Sequence, residues 1–286
     1  MVRLKFSITL QYEIAPPHAD FIFNIHAART AHQQIVAEEL ATSAGARPTL
    51  YEDPATGTRH MRLSAPAGPL RVHYVATVDV DHHRDDHVSN IGEVPVAQLP
   101  QQVLPYVMPS RYCESDRLYR LANANFGHLA PGYGRVLAIR NWVASHLSFA
   151  SATSNASTSA VDVLINRVGV CRDFAHVMIA LCRALNLPAR FATGIDYGAD
   201  PALGPMDFHA YVEVYLGQRW YIFDPSNVAI PMGLLRIATG RDAADVAFAT
   251  IFGTVNSMAP MVVIEASTGE PFIAPHHCSD ALSTAA

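Results

Sequence analysis

The 286-residue chain has few charged residues, no cluster of Lys and Arg, and no long hydrophobic run, and each shortage excludes a class of protein. Only 16% of the residues are charged and the formal net charge is −5, which argues against a nucleic-acid partner. Since no run of about 18 apolar residues occurs, no membrane-spanning helix is expected. Half of the residues are hydrophobic, which is typical of a globular protein with a sizeable core.

Cysteine is also scarce, with only Cys113, Cys171, Cys182 and Cys278, and none of these forms a CxxC pair. Disulfide frameworks and structural zinc sites use closer spacings, so free thiols, a reducing compartment and no metal or other cofactor are expected. The first residues alternate polar and apolar, which predicts a strand, because a signal peptide requires an unbroken apolar region. The predicted location is the cytoplasm.

The first third of the chain, residues 1–105, has the pattern of a β-rich, sandwich-like domain. In LRVHYVATVDV (70–80) every second residue is apolar, as a half-buried strand requires. Turn signals such as Asp53-Pro54 separate the strand-like runs. The segment 21–40 differs, and its pattern predicts a strand followed by a short helix or an irregular segment.

Helical patterns begin after residue 105, which predicts an α+β fold for the whole chain. Ser115 precedes one helical run, a second run carries Trp142, and Ser159 precedes a short third helix toward Asn166. The small polar segment 151–160 is predicted to be a loop. The predicted domains are a β-rich domain at 1–105, a core at 106–266 that ends in a strand at 261–266, and a loosely ordered tail at 267–286.

Cys171 stands at the start of a strongly helical segment, CRDFAHVMIALCRALN. Gly169 just before it allows a close approach of the backbone. The first turn of a helix favours a thiolate, and its free amides make the Cys171 N–H a candidate oxyanion donor. Cys182 lies three turns later on the same face and is predicted to be a buried core residue.

Two strand-like runs follow, in FHAYVEVYLGQRWYIFDP, around a predicted two-residue Gly-X turn at Gly217-Gln218. Pairing about that turn places Val212 opposite Phe223. His209 and Asp224 then lie on one face as diagonal neighbours, and their backbone positions are roughly 7–8 Å apart across the two strands. The carboxylate is therefore expected to hold one nitrogen of the imidazole and leave the other for a thiol.

A thiol, an imidazole and a carboxylate in this arrangement form a nucleophilic catalyst. Cys171 is expected to attack an acyl carbon as a thiolate, and His209 to keep it ionised and then protonate the leaving group. Asp224 is expected to orient His209 and to stabilise its cation. The expected substrate is an amide within a peptide or protein.

The segments GVCRDFAHVMIALCRALNLPARF, HAYVEV and WYIFDPSN together resemble the core of the transglutaminase-like proteins, papain-like thiol enzymes. YVMPSRYCESDRL and GRDAADVAF resemble the bacterial branch of that family, and the β-rich first third resembles its N-terminal domain. The resemblance implies that Cys171, His209 and Asp224 are the triad, on a helix packed against an antiparallel sheet. Tyr211 stands where many relatives have Trp, and Trp142 is the one upstream Trp that could correspond to the oxyanion Trp of animal enzymes.

Three functions remain open at this stage. Hydrolysis of an amide or peptide bond is favoured, because water needs no dedicated site. Acyl transfer to an amine, as in protein crosslinking, shares the same first half-reaction. A binding or assembly module with an unused triad is disfavoured, since all three residues are present. The oligomeric state is left open.

Several other polar clusters are given structural interpretations. The run DHHRDDHV (81–88) matches no zinc spacing and is predicted to be a solvated loop. A metal at 276–278 is likewise not expected. Asp173 is predicted to form a buried salt bridge or a cap with Arg172, and Asp242 and Asp245 to belong to a helix N-terminus.

Overall fold

The computed structural model describes residues 1–43, 47–198 and 206–285. No helix in these ranges is long and apolar enough to cross a membrane. In chain order the elements are β1 (Val2–Phe23), β2 (Gln33–Thr42), β3 (Thr49–Glu52), β4 (Arg59–Val80), β5 (His83–Asp85), α1 (Ser115–Phe126), α2 (Tyr133–His146), β6 (Ser148–Phe149), α3 (Ala160–Asn166), β7 (Val168–Gly169), α4 (Cys171–Ala184), β8 (Ala189–Asp196), β9 (Phe208–Leu216), β10 (Arg219–Phe223), β11 (Leu234–Gly240), β12 (Ala249–Phe252), β13 (Val255–Ser257), β14 (Met261–Ala266) and β15 (Ala281–Ser283).

The first sheet has seven strands and is built around the long antiparallel pair β1 and β4. A register shift lies between Ile14 and His18 of β1. The rings of Tyr12 and Phe21 nevertheless approach to 5.2 Å, although nine residues of straight strand span about 30 Å. The strand therefore bends back on itself, and the two halves of the sheet pack face to face, as the predicted sandwich-like arrangement requires.

Two features of this sheet differ from the prediction. The segment 21–40 was expected to be a strand followed by a short helix or an irregular segment. It has the strand and the irregular stretch but continues as strand β2, because pairing with β4 outweighs the local helical pattern. Strands β12, β13 and β14 pair with β1. Residues 249–266 therefore complete the N-terminal sheet, although they were assigned to the core by their position in the chain.

The second sheet has four antiparallel strands in the order β10-β9-β8-β11. Helix α4 contacts β8 and β9, and α1, α2 and α3 all contact α4. The apolar side chains of α4, including Phe174, Val177, Met178 and Leu181, are fully or almost fully buried. The central helix is enclosed because its apolar residues face both the sheet and the other helices. This is the expected α+β core.

The hairpin between β9 and β10 has the predicted register, with Val212 opposite Phe223 and Leu216 opposite Arg219. Both turn residues have positive φ, +52° at Gly217 and +71° at Gln218. Positive φ at both positions defines a type I′ turn, so the predicted Gly-X turn type is wrong while the loop length is right. The length alone sets the register, and the register places His209 near Asp224.

The tail is not loosely ordered throughout, contrary to the prediction. Strand β15 pairs with β5, and Ala281 and Leu282 are 0% and 2% exposed. Thr284 accepts a hydrogen bond from Arg236 on the second sheet. The short apolar segment is ordered because it covers the edge of the core, a long-range contact that its local composition does not reveal.

The two sheets are joined through Gln33, the first residue of β2, which is completely buried. Its Nε2 donates to the carbonyl oxygens of Ala28 and Arg236, both at 2.8 Å. Its Oε1 accepts from the Arg236 backbone N–H at 2.8 Å. The N-terminal sheet is therefore tied to β11, next to the strand that leads to the site described below.

Candidate active site

Cys171 is the first residue of α4, and the backbone before it is held by Asp173. The Asp173 carboxylate, which is fully buried, accepts a hydrogen bond from the Val170 N–H at 2.9 Å. A Cβ added at Gly169 would lie only 2.7 Å from the Asp173 Cβ. Glycine is therefore required at position 169, and the predicted close approach there is an approach to Asp173.

The polar loop 151–160 is fixed against this first turn. Ser154 Oγ donates to Asp173 Oδ1 at 2.9 Å, and Arg172 donates to Ser154 Oγ at 2.6 Å and to the Asn155 carbonyl at 2.8 Å. Arg172 and Asp173 also form a salt bridge at 3.0 Å, as predicted. These bonds position the thiol of Cys171 and place the loop beside it.

His209 lies on β9 and Asp224 directly follows β10, and the hairpin brings their side chains together. His209 Nε2 is 3.4 Å from Asp224 Oδ2, and both side chains are almost completely buried. Asp224 is held by the Ser226 N–H and hydroxyl at 2.9 and 2.6 Å and by the Ala229 N–H at 2.9 Å. Since Asp224 lies on the Nε2 side of the ring, Nδ1 is the nitrogen left for a thiol.

The Cys171 thiol lies close enough to the His209 imidazole to raise the pKa of that imidazole. Cys171 is partly exposed, whereas its two partners are not. The structure thus brings together the three residues that the sequence singled out. The Cys171 amide belongs to the first helical turn, where N–H groups have no intrahelical partner.

The buried imidazole and carboxylate hold each other in their charged forms. Burial by itself lowers the pKa of His209, but the Asp224 carboxylate and the Cys171 thiol outweigh it, and that pKa stands well above its ordinary value. Burial alone raises the pKa of Asp224, but His209, Ser226 and Ala229 lower it to about 2. An imidazolium beside a carboxylate is the arrangement that stabilises a neighbouring thiolate.

Asp196, which the sequence analysis missed, also lies at this site. It ends β8, and its Oδ2 is 3.7 Å from His209 Nδ1. Burial raises the pKa of Asp196, while the His209 cation opposes that rise. The segment ARFATGID (189–196) has the apolar content of a buried strand, so a strand prediction there would have placed Asp196 at the same sheet edge as His209.

The remaining candidates have structural positions. Cys182 is fully buried, as predicted, and burial raises the pKa of its thiol. Asp242 and Asp245 lie in a turn and not at the predicted helix N-terminus. Asp242 accepts hydrogen bonds from the backbone N–H groups of Tyr112 and Ala244, and Asp245 pairs with Arg241. Trp142 stacks on His146, with ring centroids 3.8 Å apart.

The two polar clusters are also placed. Part of the run 81–88 forms β5, which pairs with β15, so this run is not simply a solvated loop. His276 and His277 are exposed beside the partly buried Cys278. Within residues 1–43, 47–198 and 206–285, no group of three or more His, Cys, Asp or Glu side chains is arranged to hold a metal ion.

Comparison with known proteins agrees with this architecture. Residues 2–102 match the family model of the bacterial transglutaminase N-terminal domain, and residues 120–225 match that of the transglutaminase-like superfamily. A solved structure of a candidate cysteine protease from Cytophaga hutchinsonii superposes with a TM-score of 0.89 at 38% sequence identity, covering 99% of this chain and 97% of that one.

Curated relatives match over shorter regions. An uncharacterized protein from Mycobacterium leprae is 32% identical over 117 residues, which are 39% of this chain and 42% of that protein. One from Mycobacterium tuberculosis is 33% identical over 110 residues, which are 35% of each. The matched region thus spans less than half of these mycobacterial proteins. With its bacterial N-terminal domain and its helix-on-sheet core, the chain belongs to the transglutaminase-like superfamily and has the fold of the papain-like thiol enzymes.

Proposed function

We propose that the protein is a thiol enzyme that opens an amide or peptide bond through Cys171, His209 and Asp224. The observation that carries the proposal is the buried pair of His209 Nε2 and Asp224 Oδ2, 3.4 Å apart, next to a partly exposed thiol. Burying a charged imidazole costs free energy, and a purely structural histidine could avoid that cost by staying neutral.

In the first half-reaction the Cys171 thiolate attacks the acyl carbon and the oxygen of the carbonyl becomes an oxyanion. The Cys171 backbone N–H, free at the first turn of α4, is suited to donate to that oxygen. The His209 imidazolium then gives its Nδ1 proton to the leaving amine, and the acyl group stays on sulfur as a thioester. Asp224 keeps the imidazole oriented and stabilises its cation.

In the second half-reaction we propose that water resolves the thioester. His209, now neutral, takes a proton from the water as it attacks, and the products are a carboxylic acid and the restored thiol. A cysteine peptidase or amidase acting on a peptide or protein in the cytoplasm is therefore the preferred function. The similarity to the candidate cysteine protease supports this choice.

Acyl transfer to an amine is the alternative, since the same thioester also reacts with a lysine side chain. The chain contains a single lysine, Lys5, which is exposed on β1. Crosslinking of the protein to itself through a lysine side chain therefore has only one possible acceptor. A Lys5→Arg variant removes it and gives a clean background for crosslinking assays.

The test is a proteome-derived peptide mixture incubated with the Lys5→Arg protein, with and without a biotinylated primary amine. Hydrolysis is expected to produce new peptide termini or glutamine deamidation, whereas acyl transfer would attach the biotinylated amine. Cys171→Ala is expected to abolish either product, and Cys278→Ala, at another partly exposed cysteine, to retain it. If Cys171→Ala forms products at the rate of the parent, the proposed mechanism is wrong.

A binding module is distinguished by the reactivity of the thiol. The alkylation rate of each cysteine by iodoacetamide is measured by mass spectrometry between pH 4 and pH 9. Fast labelling of Cys171 in the acidic part of this range, slowed by His209→Ala, is the expected result for an ion pair. Labelling no faster than that of an unactivated thiol would favour the binding module.

A further inference from the structure

Asp196 is a buried carboxylate to which the proposed mechanism gives no role. Its side chain is about nineteen-twentieths buried, since Asp196 is 5% exposed. Its Oδ2 atom has no hydrogen-bond partner within the part of the chain that the structure describes. The contact with His209 Nδ1, at 3.7 Å, is too long for a hydrogen bond. The unpartnered oxygen therefore lies on the side of the imidazole that faces the thiol.

Asp196 shares its neighbouring cation with a second carboxylate. His209 Nδ1 is 3.7 Å from Asp196, but the imidazole is held more closely by Asp224, 3.4 Å from its Nε2. The β8–β9 register ends with Ile195 opposite Phe208, so Asp196 and Asp207 both lie just beyond the last pair. Besides burial, the Asp224 and Asp207 carboxylates raise the pKa of Asp196, because like charges repel. The repulsion between the carboxylates is unfavourable in the free protein, and a cation bound beside Asp196 would offset it.

We propose that Asp196 is a specificity-determining residue that binds a protonated amine of the substrate beside Cys171. The inference rests on the proposed function, because the amine is bound at the same site. An ammonium group has three N–H donors and a positive charge, and thus supplies both the missing hydrogen bond and a second counter-charge. Neutral and anionic groups at this position leave the carboxylate unpaired or repelled.

The test uses three thiol-reactive methanethiosulfonates of similar size and different charge. They are the cationic 2-aminoethyl, the neutral methyl and the anionic 2-sulfonatoethyl reagents. The rate of modification of Cys171 is measured for each by mass spectrometry, and the cationic-to-neutral rate ratio is the readout. This ratio is largely independent of the intrinsic reactivity of the thiol, because that reactivity enters both rates.

The wild-type protein is expected to prefer the cationic reagent by at least about fivefold, the effect of one charge interaction at about 4 Å in water. Asp196→Asn is expected to bring the cationic-to-neutral rate ratio close to one and to raise the rate at which the anionic reagent modifies Cys171. Asp196→Glu retains the charge and is expected to retain most of the preference. Asp245→Asn, which removes a carboxylate bound to Arg241, is the matched control and is expected to leave the ratio unchanged.

The amine belongs either to the acyl donor or to the amine that accepts the acyl group, and a second pair of assays distinguishes them. Acylation of the enzyme is compared for the p-nitrophenyl esters of glycine and of acetic acid, and the acetyl-enzyme is then partitioned between water and ethylamine. Loss of the glycine preference in Asp196→Asn assigns the amine to the donor. Loss of ethylamine partitioning assigns it to the acceptor.

A wild-type protein without cationic preference would overturn the proposal, and this measurement needs no variant to fold. An unchanged ratio in folded Asp196→Asn would overturn it as well. Failure of the proposed function has a different signature. In that case Cys171 reacts slowly with all three reagents, whatever the ratio between them.

Discussion

Gly169 and Asp173 are in such close contact that a methyl group at position 169 would lie 2.7 Å from the Asp173 Cβ. The contact lies between the β7 strand and the first turn of α4, on either side of Cys171. It allows the buried Asp173 carboxylate to hold the Val170 N–H and the loop residue Ser154. The position of the thiol therefore depends on a glycine outside the proposed triad.

Gly169→Ala is expected to destabilise the protein by about 1–3 kcal/mol, because backbone or helix must shift to admit the methyl group. It is also expected to slow alkylation of Cys171 by iodoacetamide. Gly134→Ala is the matched control, since a Cβ there meets nothing within 4 Å and alanine favours α2. Equal urea midpoints for the two variants would contradict this account.

Asp224→Asn is expected to lower the pKa of His209, because the carboxylate is the main group that keeps the imidazole charged against burial. The measurement is the pH titration of the His209 ring proton by NMR, assigned by its absence in His209→Gln. The midpoint should fall by at least about one unit, a charge-pair effect of ordinary size. Asp245→Asn should leave it in place, and an unshifted midpoint in Asp224→Asn would exclude the ion pair.

The same pair predicts how stability changes in acid. The folded-state pKa of Asp224 is about 2, compared with an ordinary value of 3.8. Because the folded value is depressed, its contribution of about 2 kcal/mol is present above pH 4 and is lost as the pH falls toward 2. The difference in unfolding free energy between wild type and Asp224→Asn should therefore shrink over that range. A constant difference would contradict the depressed pKa.

Glu213→Gln is expected to cost about 3–5 kcal/mol, since it leaves two buried guanidinium groups without a counter-charge. Glu213 is fully buried and accepts from Arg190 at 2.7 Å and from Arg236 at 2.6 Å. The measurement is urea unfolding, with the exposed Glu265→Gln as control. If Glu213→Gln lowers the unfolding free energy no more than Glu265→Gln does, Glu213 is not needed to neutralise Arg190 and Arg236.

Leu282→Ala is expected to destabilise the protein by about 2–4 kcal/mol, the usual cost of a cavity in a packed core. Leu282 is 2% exposed in β15, whereas Ile273, earlier in the same tail, is 42% exposed. Ile273→Ala is accordingly expected to change the unfolding free energy by less than about 0.5 kcal/mol. Similar losses for the two variants would mean that the tail does not pack as described.

Much of the candidate site was accessible from the sequence because it depends on short-range patterns. A helical repeat after Cys171 places the thiol at a helix start, and a two-residue loop at Gly217-Gln218 fixes the parity that brings His209 to Asp224. The exact turn type did not matter, since types I′ and II′ give the same register. The pairing of His209 with Asp224 is therefore encoded locally, whereas the approach of Cys171 to His209 depends on the packing of α4 against β9.

What the sequence left undecided depends on contacts between distant segments. Strand β2 has a helical pattern and becomes a strand only by pairing with β4, and β14 joins β1 from the opposite end of the chain. The tail is ordered by its pairing with β5. Local propensity does not predict such outcomes, because the energy comes from burial and pairing with a partner far away in sequence.

Asp196 shows the same division within the site. Each residue of the proposed triad stands in a sequence motif, whereas Asp196 is an ordinary polar residue at the end of a strand. Only the pairing of β8 with β9 places its carboxylate 3.7 Å from His209. The sequence by itself determined that Cys171 begins a helix and that His209 and Asp224 meet, because helix and hairpin geometry are local. Only the tertiary structure decided which other charges surround them, because those come from strands that meet through long-range packing.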